Sequence, residues 1–311
     1  MTIIDWRPST VRTSSAALHV RAAGDPSRPT IVLVHGYPDA SVVWDDVAAR
    51  LAASHHVVTY DVRGMGHSAA PTGPHPYRLQ HLADDLFAVI DAVSPDAPAH
   101  VVGHDWGSIQ SWEAVTDPER SHRIASYTTI SGPCLDHVGH AMRARLRRPT
   151  PGRLRRVLSQ GVRSTYIAFL YTPGISTVIW RLGADRAFLR FLERAEGVSV
   201  DGRHTTLAAD GRTGVHLYRA NIVQTVGRPR ERRTDVPVQL MSLTGDRYVT
   251  AVLLEDLEQW VPHLTRVSLD ARHWAPRTHP DEVSTLIAEH VARTDRTDRT
   301  ATTEAGTETV A

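Results

Sequence analysis

The sequence predicts an α/β fold: a mostly parallel central sheet with helices on both faces, and a helical segment inserted between two of its strands. Three observations predict it. Short apolar runs rich in β-branched residues recur along the chain. Segments with apolar residues at helical spacing separate most of them. Chemistry-bearing residues stand at the C-terminal ends of the runs, where an open parallel sheet gathers its functional groups.

The elements follow in order. STVRTSSAALHVRAAG (9–24) is expected to form an antiparallel hairpin at the sheet edge. TIVLVHG (30–36) and HVVTYDVRG (56–64) are strands that end in turns, and residues 78–93 form a helix. AHVVGHD (99–105) is a strand running straight into a helix over 107–116. IASYTTISG (124–132), VPVQLMSLTGD (236–246) and TRVSLDARH (265–273) complete the strands, with a helix expected at LLEDLEQWV (253–261). PDEVSTLIAEHVAR (280–293) is a closing amphipathic helix with Pro at its start, a favoured first position. The core is thus expected over 1–133 and 236–293. Residues 294–311, polar and repetitive, lack the apolar side chains to fix themselves and are expected to be a disordered tail.

Residues 134–235 break the rhythm. No strand of comparable quality occurs there and several helical patterns do, so the segment reads as a helical cap. Its charge differs too: 19 Arg stand against 8 Asp and Glu, a net of +11, while the remainder carries 16 Arg and 26 acids, a net of −10. Two runs dominate, RARLRRPTPGRLRR (143–156) and GRPRERR (227–233). A solvated face opposite an acidic core explains this, and so does a patch for an anionic surface or amphiphilic substrate. No aromatic residues interleave with these arginines, so no nucleic-acid partner is expected.

Composition narrows the chemistry. All 35 basic residues are Arg, so lysine Schiff-base catalysis is excluded. The single Cys134 excludes an intramolecular disulfide and a cysteine metal cluster. There is no HExxH; His137 and His140 lie three apart without an evident carboxylate partner, and no metal or organic cofactor is expected. The start, MTIIDWRPST, has no basic segment leading into an apolar core, and no run approaches the roughly 18 apolar residues a membrane span needs. A cytoplasmic protein is the expectation.

The informative stretch is VVGHDWGS (101–108), a strand turning sharply into a helix with Asp105 in the middle of the turn. Serine hydrolases place Ser there, as G-x-S-x-G. A carboxylate that attacks a saturated carbon leaves an alkyl ester, which water can cleave at its carbonyl. A serine attacking the same carbon would leave an ether, with no carbonyl to attack. Asp105 therefore suits alkyl transfer; its bland role would be a helix N-cap. His35-Gly36-Tyr37-Pro38, Asp61-Val62-Arg63-Gly64-Met65-Gly66, Asp246 and His273 occupy the other strand ends.

The order nucleophile, acid, histidine resembles the α/β-hydrolase fold, over about residues 8–293. GHDWG together with HGYP resembles the epoxide hydrolases and their relatives the haloalkane dehalogenases, both of which use an Asp nucleophile. The chain also resembles the hydrolase half of bacterial fusions that join such a domain to a short-chain dehydrogenase; no Gly-rich dinucleotide motif follows here, and no redox activity is inferred. The resemblance implies that Asp105 is the nucleophile, His273 the general base and Asp246 the acid that orients it. Asp136 is the rival acid, at a site some relatives use; His279 and Asp270 are weaker rivals. The backbone N–H groups of Tyr37 and Trp106 would form the oxyanion hole. His35, Pro38, Trp106 and Trp274 would line the substrate site, and Asp61 to Gly66 would be scaffold.

An epoxide oxygen leaves as an alkoxide and needs an O–H beside it; a halide needs only N–H donors. Epoxide hydrolases of this type place two cap tyrosines over the nucleophile. TYIAFLYTPG (165–174) resembles the first segment and implies Tyr166, with Tyr171 as fallback; LYRAN (217–221) implies Tyr218. Tyr37 stands where dehalogenases often carry Asn, which favours the epoxide. The partner expected is a small apolar or lipid-like epoxide, and a second copy of the chain is a candidate partner. The alternatives are a haloalkane dehalogenase and a binding protein of the same fold without turnover.

Overall fold

The computed structural model describes residues 4–147, 150–152, 155, 161, 165–172, 174–250 and 253–307, with the side chains of 166, 168, 169, 175, 177 and 297–307 outside the description. Its frame is one eight-stranded sheet in the order β1-β2-β4-β3-β5-β6-β7-β8. The strands are β1 (Arg7–Arg12), β2 (Ala17–Ala23), β3 (Thr30–Val34), β4 (His56–Tyr60), β5 (Ala99–His104), β6 (Ile124–Ile130), β7 (Val238–Leu243) and β8 (Leu264–Leu269). β1 and β2 form the antiparallel edge hairpin, β2 pairs antiparallel with β4, and every other pair is parallel.

All residues of β3, β4 and β5 are buried. That is why they read as continuous apolar runs and not as alternating ones: helices cover both faces. α1 (Asp45–Leu51) and α10 (Pro280–Thr307) pack on one face through Val47, Leu51, Val283, Ile287 and Val291. α2 (Leu79–Val93) and α3 (Trp106–Val115) pack on the other through Leu82, Leu86, Ile90 and Trp112. Between β6 and β7 come α4 (Leu135–Arg147), α5 (Thr165–Tyr171), α6 (Ile175–Arg181), α7 (Ala184–Phe191), α8 (Leu207–Thr213) and α9 (Val215–Gly227).

Register positions the site. Val34 stands opposite both Tyr60 and Gly103, His104 opposite Ile130, Ile130 opposite Met241, and Leu243 opposite Leu269. The parallel strands therefore end level with one another, and the loops that follow them leave along one edge.

One expectation is corrected. The helix expected over 253–261 is only a 3-10 turn, Leu257–Gln259, because Asp256 just before it takes the left-handed backbone (φ 60°) and breaks the run. The segment from 294 onward continues α10 as far as Thr307. The Thr294 hydroxyl donates to the carbonyls of His290 and Val291 within the same helix, and Asp295 meets the His100 ring at 3.2 Å.

Candidate active site

Asp105 is the residue between β5 and α3. Its backbone lies at φ 52°, ψ −123°, a conformation few non-glycine residues adopt. The neighbouring glycines allow so tight a turn. A Cβ on Gly103 would stand 2.5 Å from the Ser108 Cα, and one on Gly107 would stand 2.1 Å from the Val34 carbonyl oxygen. The G-x-D-x-G spacing is therefore the signature of a helix pressed against its own strand and the next. The strained turn lifts the Asp105 carboxylate above the sheet edge.

Oδ1 of Asp105 accepts the Tyr37 backbone N–H at 2.8 Å. The turn that carries this N–H approaches because residue 36 is glycine; a Cβ there would lie 2.4 Å from Oδ1 itself. The Trp106 N–H, first in α3, has no acceptor within the helix, as for every helix start. On the other side, His273 Nε2 stands 3.6 Å from Asp105 Oδ2, and its Nδ1 stands 3.0 Å from Asp246 Oδ2. Asp246 Oδ1 accepts the N–H groups of Tyr248 (2.7 Å) and Val249 (3.1 Å).

The electrostatics follow from this sandwich. Burial alone would depress the imidazole, but Asp246, with hydrogen bonds to both carboxylates and the charge of Asp105, overrides it and holds His273 up at about 10. Burial likewise opposes the charge on Asp246, and the facing imidazolium with the donated hydrogen bonds wins, holding it near about 2.

The other expected residues divide. Asp136 is not the acid facing the histidine: Arg230 donates to it from its backbone N–H at 2.7 Å and from its guanidinium at 3.2 Å. His279 turns its ring to the Thr278 hydroxyl and Asp270 accepts from Thr244. Pro38 and Trp274 line the cavity above Asp105. His35 does not: it is fully buried, Nε2 accepts the Val62 N–H at 2.8 Å and Nδ1 pairs with the Gly36 carbonyl at 2.9 Å. Both ring nitrogens are spent on holding two strand-end loops together. Asp61 is likewise bound by the N–H groups of Ser41 and His67, and Arg63 forms a buried two-pronged pair with Asp85.

Tyr218, on α9, is buried against the Trp106 ring (centroids 4.8 Å) and the Tyr37 ring (5.4 Å). The Tyr37 hydroxyl donates to the Gly211 carbonyl and accepts from the Trp180 indole. Tyr166 lies on α5, but its side chain falls outside the described residues. Its fallback, Tyr171, is 38% exposed and lines neither chamber.

Asp105, Tyr218 and Tyr248 line two adjoining chambers at once. One, of about 420 Å³, runs under α6 and α7 past Leu170, Trp180, Phe188 and Phe191. The other, of about 230 Å³, runs past Trp106, Leu135, Val138, Ile222 and Val226. Apart from the residues at the junction, and Arg145 in the smaller chamber, the walls are largely apolar. A hollow of about 500 Å³ at the opposite end of the strands, beside Thr30 and His100, lies far from this chemistry.

Sequence reasoning missed Tyr248 and His104. Tyr248 packs edge-on to the His273 ring at 4.9 Å as well as donating to Asp246. The His104 ring lies 4.8 Å from that of His273, with Nε2 at 2.8 Å from the His273 carbonyl oxygen. Both adjoin recognised residues in sequence, within two positions, and that adjacency was the available signal.

A carboxylate raised on a strained strand-to-helix turn, answered by an imidazole–carboxylate pair after the last two strands, is the arrangement expected of the α/β-hydrolase fold. The chain belongs to the alpha/beta hydrolase fold family, whose profile matches residues 29–280. It is 38% identical over 271 residues to "Probable oxidoreductase EphD" of Mycobacterium tuberculosis, covering 85% of this chain and 46% of that protein, so the chain spans about half the length of the relative it matches. It is 24% identical over 293 residues to "Epoxide hydrolase 4" of Mus musculus, covering 89% of this chain and 77% of that one. Among solved structures, an epoxide hydrolase of Bacillus megaterium in complex with an inhibitor shares the fold with a TM-score of 0.77 at 19% identity, covering 91% of this chain and all of that one.

Proposed function

We propose that the protein hydrolyses apolar epoxides to vicinal diols through an ester on Asp105. Because the Tyr37 N–H holds Oδ1, Oδ2 is the oxygen that attacks. It forms a bond to one epoxide carbon as that carbon's C–O bond breaks, and the departing oxygen takes a proton from the Tyr218 phenol. Esterification removes the charge of Asp105 and with it part of what holds the proton on His273. His273 releases that proton to solvent, to be regained once Asp105 is charged again, and the neutral imidazole, steered by Asp246, then takes a proton from water, whose oxygen bonds to the ester carbonyl carbon. Negative charge grows on Oδ1, already facing the Tyr37 N–H, with the free Trp106 N–H as the second donor. Collapse breaks the bond from the carbonyl carbon to Oδ2. The diol leaves with Oδ2, protonated from His273, and the remaining proton restores the Tyr218 phenol through solvent.

The single observation that carries this reading is that Asp105 sits between an N–H on one oxygen and the His273–Asp246 pair at the other. The two apolar chambers meeting at Asp105 favour an epoxide with carbon substituents on both sides of the ring. One turnover in heavy-oxygen water tests it. Label is expected in the Asp105 side chain after the first turnover and in the diol only afterwards; label in the diol from the first turnover refutes the ester. Halide release from haloalkanes with no epoxide turnover would identify a dehalogenase instead.

A further inference from the structure

We propose that the outer face of the cap docks on an anionic lipid surface. Among the described residues the exposed large apolar side chains are Leu146, Tyr171, Val178, Ile179, Leu182 and Val223, and every one lies on a cap helix or its end. They come from α4, α5, α6 and α9, which pack against one another in the order α4, α9, α5, α6. On α6, Ser176 and Trp180, four apart, are buried toward the body of the protein. Val178 and Leu182 fall on the opposite side of the helix, with Ile179 at its flank, and Leu182 is 80% exposed. A monomer gains nothing by concentrating its exposed apolar residues in this way.

Charge decides what covers them. Arg181, Arg186 and Arg190 are exposed beside that face and form no ion pair among the described residues, while Asp185 and Glu193 are acids of the same stretch. Arg147 and Arg155 are also exposed. On the cap's return leg, by contrast, Arg230 and Arg232 are occupied: they pair with Glu113 of the underlying body and with Asp136 of α4. Exposed positive charge therefore borders the apolar patch, the arrangement that holds an amphipathic surface at anionic headgroups. No helix among the described residues is long and apolar enough to cross a membrane, so the contact is peripheral.

The patch also adjoins the chamber. Ile179 is 38% exposed and yet lines the larger cavity, so the rim of that cavity belongs to the docking face. An apolar ligand partitioned in the bilayer would enter without crossing water.

Flotation of the full chain with phosphatidylglycerol-containing and pure phosphatidylcholine vesicles tests the proposal. Binding to the anionic vesicles only, weakened by salt, is expected. V178D/L182D should bind roughly tenfold more weakly, and R186S/R190S by about fivefold per arginine. None of these four residues lines the cavity, so circular dichroism and melting should match the parent. Absence of binding to anionic vesicles at low salt overturns the proposal. Binding unchanged in V178D/L182D shows indiscriminate charge attraction and also overturns it. If the parent is a dimer that V178D/L182D converts to a monomer, the face is covered by a second copy and the proposal fails. Vesicle binding is read without turnover, so it stands or falls separately from the esterification reaction.

Discussion

Replacing Asp246 with Asn would separate the two halves of the reaction. In the native site Oδ1 accepts two backbone N–H groups while Oδ2 faces His273 Nδ1 at 3.0 Å. An Asn side chain must keep its single carbonyl oxygen on those N–H groups, because an NH2 there would oppose two donors. Its NH2 then faces Nδ1, forcing the imidazole proton onto Nε2, the atom turned toward Asp105. The ring now offers a donor where water needs an acceptor. It also loses the carboxylate that stabilises the imidazolium; across 3.0 Å at an effective dielectric of about 20 that attraction is about 5.5 kcal/mol, or about four decades in rate. Esterification needs neither, so D246N should form the Asp105 ester at a near-parental rate and hydrolyse it about 10⁴-fold more slowly. Intact-protein mass spectrometry after rapid mixing with an epoxide should show the adduct accumulating to nearly one equivalent. If turnover falls without an adduct, or if D246N retains a tenth of parental turnover, the assignment of Asp246 is wrong.

Three further outcomes are expected. Y218F should slow epoxide opening by about 10²-fold while leaving hydrolysis of a preformed ester unchanged, which quenched single-turnover experiments resolve. Because folding raises His273 from 6.5 to about 10, its charged form contributes stability that is complete below 6.5 and is lost as pH rises through about 10; Asp246, depressed from 3.8 to about 2, contributes above 3.8 and loses its share as pH falls toward 2. The melting-temperature gap between the parent and H273Q should therefore narrow between neutral pH and about pH 10, and a gap independent of pH contradicts the charge sandwich. G107A places a Cβ 2.1 Å from the Val34 carbonyl oxygen, a backbone atom, and should cost at least ~3 kcal/mol in urea unfolding.

The legible part of this protein was the part fixed by local chemistry. β3, β4 and β5 announce themselves because burial on both faces demands unbroken apolar runs. The turn at Asp105 was readable because only glycine fits at 103 and 107. His35 was misplaced because its position in HGYP places it at a strand end, and only tertiary structure reveals that both its nitrogens already serve backbone groups. The choice between Asp136 and Asp246 likewise needed the arginines at 230 and 232, nearly a hundred residues away from 136.

The seam beneath the cap has a consequence for engineering. Glu113 receives both Arg230 and Arg232, and Asp136 receives Arg230 again, so the outgoing and returning legs of the insertion are riveted to one spot on α3. That spot is eight residues, or about 12 Å of helix, from the nucleophile. A lid borrowed from another protein and spliced inside these rivets would arrive with its attachment already built, and selectivity could be exchanged wholesale while the reactive corner stayed where it is.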